Sequence, residues 1–378
     1  MNFITAGESH GPCLTGIIDH FPAGLTVDIE KINQALAQRQ KGYGRGGRMK
    51  IEQDKVQILS GIRHQKTMGS PITFQIENRD FKNWQKEMSA LEPYETKRGV
   101  YTPRPGHADL VGGIKYGQED MRNVLERSSA RETAMRVAIG ALCTQLLEVL
   151  GITLQGRVFQ IGPVKDLVVE DEFTTHNDLR VVHEAVAEEM KNWIQKAKEE
   201  GTTLGGGIEV IVKGMPAGVG DYTQWNRKLD ARLSYAVMSI NAMKGVTFGD
   251  GISLIQSFGK DVMDEIAWKE EEGYYRLSNH LGGIEGGMST GMPIRLQAYM
   301  KPIPTQYHPL QTVDVRTKEI YQASVERSDH CAVPSASYVV EAVVATTLVE
   351  ILCEQFTSDT VEQLKEAVEK QRKRGQDL

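Results

Sequence analysis

Apolar positions along the chain fall into three kinds of spacing. Between Leu179 and Glu200, apolar Leu179, Val182, Val186, Met190, Trp193 and Ala197 recur every three or four residues, with Glu and Lys opposite and Gly201 after them. That spacing predicts a surface helix with one buried stripe, opened by Asn177 or Asp178. Arg131–Leu150 and Ser335–Leu352 are different, because their Ala, Val, Ile, Leu and Met residues lie nearly all round. A helix apolar on every face is buried on every face. Further helices are expected over Ile32–Gln40 and the charged Thr360–Arg374. Alternating or β-branched runs predict strands at Val56–Leu59, Ile72–Ile76, Thr153–Ile161, Ile208–Lys213, Ile252–Ser257 and Ile294–Ala298. Two buried helices among short strands predict a layered body, with central helices covered by sheets.

Blocks of the pattern recur. Gly16–Gly24 resembles Val210–Gly218 at an offset of 194 residues, and Gly69–Gln75 resembles Gly291–Gln297 at 222. Glu126-Arg127-Ser128 returns as Glu326-Arg327-Ser328, and each copy precedes one of the two buried helices. Three blocks in one order predict an internal duplication, with halves 1–200 and 201–378 inside a single domain spanning 1–378. If the halves are related, the site should lie where the two Glu-Arg-Ser turns converge.

Composition narrows the function. Of 378 residues, 40% are hydrophobic and 25% charged, an ordinary globular balance that excludes wholesale disorder. A net charge of −6 and 7% aromatic residues argue against a nucleic-acid binder. The four cysteines form no CxxC pair, which speaks against a zinc site or a disulfide framework and fits a reducing compartment. The first residues do not read as a signal peptide and no uninterrupted apolar run suits a bilayer, so a cytoplasmic protein without membrane partners is expected. The 37 glycines cluster, as they do in tight turns or where backbone approaches a ligand closely.

Against that acidic background, Arg39, Lys41, Arg45, Arg48 and Lys50 are interleaved with glycines and free of acids. Guanidinium forks match phosphate and carboxylate oxygens in pairs, so this loop is a candidate anion-binding flap. Its GxGxxG match follows a helix rather than a strand, which rejects a dinucleotide-binding reading. His10 and His107 sit in glycine-flanked turns and could move protons near neutral pH, although either alone is as well explained as a structural histidine. Arg127 and Arg131 flank Ser128 and Ser129 at an expected helix start, a second place for an anion. Asp329 could act as a base or merely pair with arginine. No spacing suggests a metal.

Three longer blocks carry a family resemblance: GESHGPCLTGIIDHFPAG at 7–24, ERSSARETAMRVAIGAL at 126–142 and RSDHCAVPSA at 327–336. Together with RQKGYGRGGRM, RPGHAD, MSINAMKGVTFGDG and SNHLGGIEGGMSTGMPI, they resemble chorismate synthase through nearly the whole chain. The resemblance implies an α+β fold of helices sandwiched between antiparallel sheets, assembled as a homotetramer. It implies a carbon–oxygen lyase of the shikimate pathway and aromatic amino acid biosynthesis. The expected reaction is the anti-1,4-elimination of phosphate from 5-enolpyruvylshikimate 3-phosphate to give chorismate, with reduced FMN and no net redox change. FMN, FAD and NADP are the associated cofactor classes, with NADPH or a separate flavin reductase as the source of electrons.

By the same resemblance, His10 serves the reduced flavin as a proton donor, His107 serves the leaving phosphate, and Asp329 takes part in proton transfer at flavin N5. Flavin contacts fall on Arg127, Ser128, Ser129, Asn241, Ala242, Gly286, Lys301, Pro302, Ile303, Pro304, Thr305 and Arg327. Arg39 and Arg45 are the NADP positions, and Arg48, Arg104 and Arg131 the substrate cations, with Arg39, Arg45 and Arg327 close by. An oxidoreductase acting on a phosphorylated substrate is the rival enzyme reading, and an RNA-binding module the rival outside enzymes.

Overall fold

The computed structural model describes residues 1–44, 52–168, 171–270, 273–326 and 328–377. Strands β1 (Asn2–Ala6), β2 (Cys13–Asp19), β3 (Val56–Ser60) and β4 (Ile72–Glu77) form an antiparallel sheet in the order β1-β2-β4-β3. A second antiparallel sheet holds β5 (Thr153–Ile161), β6 (Val164–Lys165), β7 (Gly206–Lys213), β8 (Met243–Phe248) and β9 (Ile294–Met300), in the order β8-β9-β7-β5-β6. The α-helices among the described residues are α1 (Ile29–Gln40), α2 (Asp109–Tyr116), α3 (Arg122–Ser128), α4 (Thr133–Val149), α5 (Glu184–Glu199), α6 (Leu229–Met238), α7 (Gly259–Val262), α8 (Val333–Gln355) and α9 (Val361–Asp377).

The central layer follows from the apolar pattern. α4 packs on β2 and β4, α8 packs on β5 and β7, and the two helices pack on each other. Leu14, Gly16 and Ile18 alternate inward on β2, facing that layer. Where the helices cross, Gly140 is required: a methyl there would sit 2.4 Å from the Cβ of Ala342 and 2.5 Å from its carbonyl oxygen. α8 is long and apolar enough to cross a bilayer, yet 78% of its most apolar window is buried inside this sandwich. The interior that binds it is protein.

The two sheets repeat one connectivity. β1, β2, α1, β3, β4 and α4 occur in the same order and the same sheet positions as β5, β7, α6, β8, β9 and α8. Register repeats as well: Gly16 faces Phe74 and Ile18 faces Ile72, while Val210 faces Leu296 and Val212 faces Ile294. Those are the residues that the offsets of 194 and 222 place in correspondence.

Two expected elements differ. The stripe from Leu179 is not helical at its start. The Asn177 side chain accepts N–H bonds from Leu179 and Val181, which holds a turn there, and α5 begins only at Glu184. Leu179 and Val181 are buried from that turn instead. Ile252–Ser257 is not a strand but part of a 3₁₀ turn, Gly251–Gln256. Gly249 and Gly251, at φ of 56° and 59°, swing the chain out of the sheet after β8 and leave Ile252 and Ile255 exposed.

Candidate active site

The loop between β1 and β2 carries His10, and long-range contacts hold it. Ser9 N–H donates to the Glu126 carbonyl at 2.8 Å, and His10 N–H donates to Glu126 Oε2 at 2.7 Å. The His10 ring is buried, with Nδ1 2.8 Å from Glu126 Oε1 and the indole of Trp84 stacked at 3.9 Å. Arg98 lies over the same indole at 4.1 Å. Ser9 Oγ reaches Ser129 Oγ at 3.1 Å, which joins this loop to the second candidate segment.

That segment does not run as one helix. The chain breaks at Ser129 (φ −66°, ψ 141°) between α3 and a 3₁₀ turn at Ala130–Glu132. Arg127 and Arg131 therefore do not share a helix face. Arg127 donates to the Thr5 and Gly7 carbonyls and to Thr5 Oγ1, securing the start of the His10 loop.

Arg131 turns inward. Its Nη1 is 2.8 Å from both oxygens of Asp54, its Nε donates to Asn78 Oδ1, and Glu52 lies 3.8 Å from Nη2. Asn78 in turn donates to the carbonyls of Glu8 and Gly11. Arg39 is buried beside this group, donating to Thr133 Oγ1 and the Ala130 carbonyl, with Asp54 at 3.9 Å. Arg39 and Arg131 thus have protein partners, and Glu52 and Asp54 balance their charge. Asp54 and Glu52 carry no sequence signal, since they follow the basic loop and meet Arg131 only through the fold.

A second cluster forms at the turn before α2. Asp109, fully buried, accepts from His107 Nδ1 at 2.6 Å and from Arg104 Nε, Nη2 and backbone N–H at 2.8–3.1 Å. Burial pushes the Asp109 carboxyl up, but the His107 and Arg104 hydrogen bonds and their charges outweigh it and hold the group well below the usual carboxylate range. Its contribution to stability is therefore present above the unfolded value of about 3.9 and is lost as pH falls toward the folded one. An ionised Asp109 at 2.6 Å requires the His107 proton on Nδ1, so Nε2, with Arg104 Nη2 at 3.4 Å, is the ring nitrogen with exchangeable capacity.

The remaining positions link the clusters. Asn241 Nδ2 donates to the Ser128 carbonyl at 2.8 Å, and Lys301 N–H to the Ala242 carbonyl at 3.0 Å. Ala242 holds φ 69°, an uncommon conformation for a residue with a Cβ. The Lys301, Pro302, Ile303, Pro304, Thr305 loop reaches the second cluster through Thr305 Oγ1, which accepts from Arg104 Nη1 at 2.8 Å. Burial, then the nearby Lys244 charge, lowers the Lys301 ammonium below its ordinary range. Asp329 is half-buried between Ser328, whose carbonyl accepts from Tyr307 Oη at 3.0 Å, and His330, whose N–H donates to the Gly44 carbonyl.

The two Glu-Arg-Ser turns meet through Arg122, which is 2.8 Å from Glu326 and 3.6 Å from Glu126. Gly286 is the exception: it turns the Ile284–Ser289 hairpin, where Gly287 accepts from Leu229 N–H, and the hydrogen bonds among the described residues that join the other candidates do not extend to it. Arg45, Arg48 and Arg327 lie outside the described residues.

Two polar atoms test what this site could hold. Ser128 Oγ and Arg131 Nη2 are buried and have no hydrogen-bond partner among the described residues. A buried donor left unpaired costs about 1–3 kcal/mol, so each is suited to an oxygen acceptor supplied from outside the chain. Ser128 Oγ, on the residue whose carbonyl accepts from Asn241, fits an oxygen of a phosphorylated cofactor, whereas Arg131 Nη2 already has the Glu52 carboxylate at 3.8 Å.

Known proteins carry the same pattern. A family model described as "Chorismate synthase" matches residues 1–353. The chain is 56% identical to the chorismate synthase of Enterococcus faecalis and 54% identical to that of Bacillus pumilus, each alignment covering 98% of both chains. A solved structure titled "Crystal Structure of Chorismate Synthase" superposes with a TM-score of 0.80 at 38% identity, over 100% of this chain and 98% of that one.

Proposed function

The chain belongs to the chorismate synthase family, a lyase family of the shikimate pathway, and from that premise we propose how its own residues carry out the elimination. The substrate is 5-enolpyruvylshikimate 3-phosphate and the products are chorismate and phosphate. The observation that carries this reading is a chain of hydrogen bonds that runs from Ser9, beside His10, to Ser129, from Asn241 to Ser128, from Lys301 to Ala242, and from Arg104, beside His107, to Thr305.

The C6–H bond of this substrate is too weakly acidic for an ordinary base to open the elimination. Reduced FMN, when bound, supplies electron density to the allylic system and regains it within one turnover. The chain's part is position, charge and dryness. Ser128, Ser129, Asn241, Ala242 and the 301–305 loop would hold the cofactor, with Arg127, Gly286 and Arg327 assigned by resemblance alone. His107, with one proton on Nδ1 toward Asp109, would in its doubly protonated form donate a second from Nε2 to the departing phosphate, near Arg104. His10 serves as a proton donor, and Asp329 as a proton-transfer group. Arg45, Arg48, Arg104 and Arg131 are assigned by resemblance to the two carboxylates and the phosphate of the substrate, while Asp54 and Glu52 already balance the charge of Arg131 and Arg39.

Reduction of the flavin by NADPH, bound by Arg39 and Arg45 or delivered through a separate reductase, completes the proposal, in a cytoplasmic setting. A homotetramer, expected from the resemblance, would have exposed apolar side chains such as Ile252, Ile255, Phe258, Ile266, Trp268 and Leu277 available to cover.

The cofactor assignment is tested by anaerobic fluorescence titration of FMN. Ser128→Ala should raise the dissociation constant about 10–150-fold, the worth of a hydrogen bond of about 1.5–3 kcal/mol to a charged acceptor. Unchanged affinity would remove Ser128 from the flavin site.

A further inference from the structure

We propose that Glu126 is a positioning residue for His10, and that it fixes which ring nitrogen meets the ligand. The inference rests on the reading of His10 as a proton donor.

Glu126 is 3% exposed and spends one oxygen on each of two His10 donors, the backbone N–H at 2.7 Å and ring Nδ1 at 2.8 Å. A carboxylate only accepts, so Nδ1 carries a proton in either charge state of the ring. Nε2 is thereby the atom turned to the ligand, ready to give or take a proton. The bidentate grip fixes the ring to its own backbone, and the stack on Trp84 at 3.9 Å and 22° fixes its plane.

The charged groups around the pair are few. On α3, Arg122 lies 3.6 Å from Glu126 and 5.3 Å from the Trp84 ring, and Arg98 covers that ring at 4.1 Å. Behind Arg122 is Glu326, from the segment that leads to Asp329. Arg122 therefore steadies the carboxylate that orients His10 and ties it to Glu326. The sequence holds a trace of this, because Glu126 and Glu326 open the two repeated blocks, but no spacing links either to His10.

Glu126→Gln keeps the shape and breaks the logic. Its single carbonyl cannot accept from both His10 donors. With the carbonyl on the backbone N–H, the amide donates to Nδ1, and the neutral ring must move its proton to Nε2. The test combines ¹⁵N NMR of the histidine rings with steady-state kinetics under anaerobic conditions with reduced FMN. The wild-type protein should show neutral His10 as the Nδ1–H tautomer, a measurement that needs no variant to fold. Glu126→Gln should show the Nε2–H form, with kcat lower by about 10–100-fold and KM within about threefold, a part of the 10²–10⁴ that general acid–base catalysis supplies, because the ring is misprotonated rather than removed.

A wild-type Nε2–H tautomer would overturn the proposal. So would a folded Glu126→Gln protein with full kcat while His10→Gln is inactive. Full activity of His10→Gln would instead remove His10 from the chemistry and the catalytic half of this inference with it, while the NMR signal still decides whether Glu126 orients the ring.

Discussion

Arg131→Ala should cost the fold about 3–5 kcal/mol before any effect on substrate is read, because it strands the buried Asp54 carboxylate, while Glu52 keeps its bonds from the Arg79 and Asp80 N–H groups. Asp54 and Glu52 are 4% and 2% exposed, and Arg131 is the cation that Asp54 meets at 2.8 Å. A domain with roughly 5–15 kcal/mol of stability would lose a large fraction of it. Urea unfolding at neutral pH measures the loss. Adding Asp54→Asn should restore part of the stability, since it removes the stranded charge rather than the arginine that compensated it. Wild-type stability in Arg131→Ala, with only weakened substrate binding, would mean that the arginine is held in reserve for the ligand and that the Asp54 contact matters little.

His107→Ala should lower kcat by about 10²–10⁴ with little change in KM, the signature of a proton transfer made in the transition state rather than of lost binding. The geometry behind the number is the Asp109 carboxylate at 2.6 Å from Nδ1, which leaves Nε2 for the leaving phosphate. Asp109→Asn should reproduce part of the loss, since an amide can turn its N–H₂ toward Nδ1 and move the proton to the other nitrogen. Rapid-quench measurement of phosphate release separates this step from product release. If phosphate leaves at the wild-type rate in His107→Ala, the histidine holds the turn together and does no chemistry.

These expectations show where the sequence was readable and where it was not. The two central helices were legible because residues such as Ala134, Met135, Val339 and Val340 leave no polar face, and only burial on all sides explains that. Strands β3, β4, β5, β7 and β9 followed from alternation or β-branched runs, while β1, β2 and β8 were not anticipated; the repeated blocks fall in register on the paired central strands of the two sheets. The outer pieces were harder. Ile252 and Ile255 look like a buried strand, yet they sit exposed on a 3₁₀ turn because flanking glycines decide the backbone before burial does.

The site was legible in its residue types and less so in its pairings. His10, His107 and the Glu-Arg-Ser turns stand out locally. Glu126 stands in the repeated block but nothing ties it to His10, and Trp84, Asn78 and Asp54 are recruited from far along the chain with nothing periodic to announce them. Arg39 and Arg131 look like bare cations in sequence, because the acids that balance them come from outside the basic loop. Asp109 lay in view, two residues after His107, but only the fold turns it back onto the ring.

The most direct test of the account is turnover without net oxidation. The protein, chemically reduced FMN and 5-enolpyruvylshikimate 3-phosphate are mixed without oxygen, and chorismate absorbance, released phosphate and the flavin spectrum are followed together. The account predicts many equivalents of chorismate and phosphate per flavin, in equal amounts, with the flavin still reduced at the end. Flavin oxidised in step with product would contradict it and make the protein an oxidoreductase.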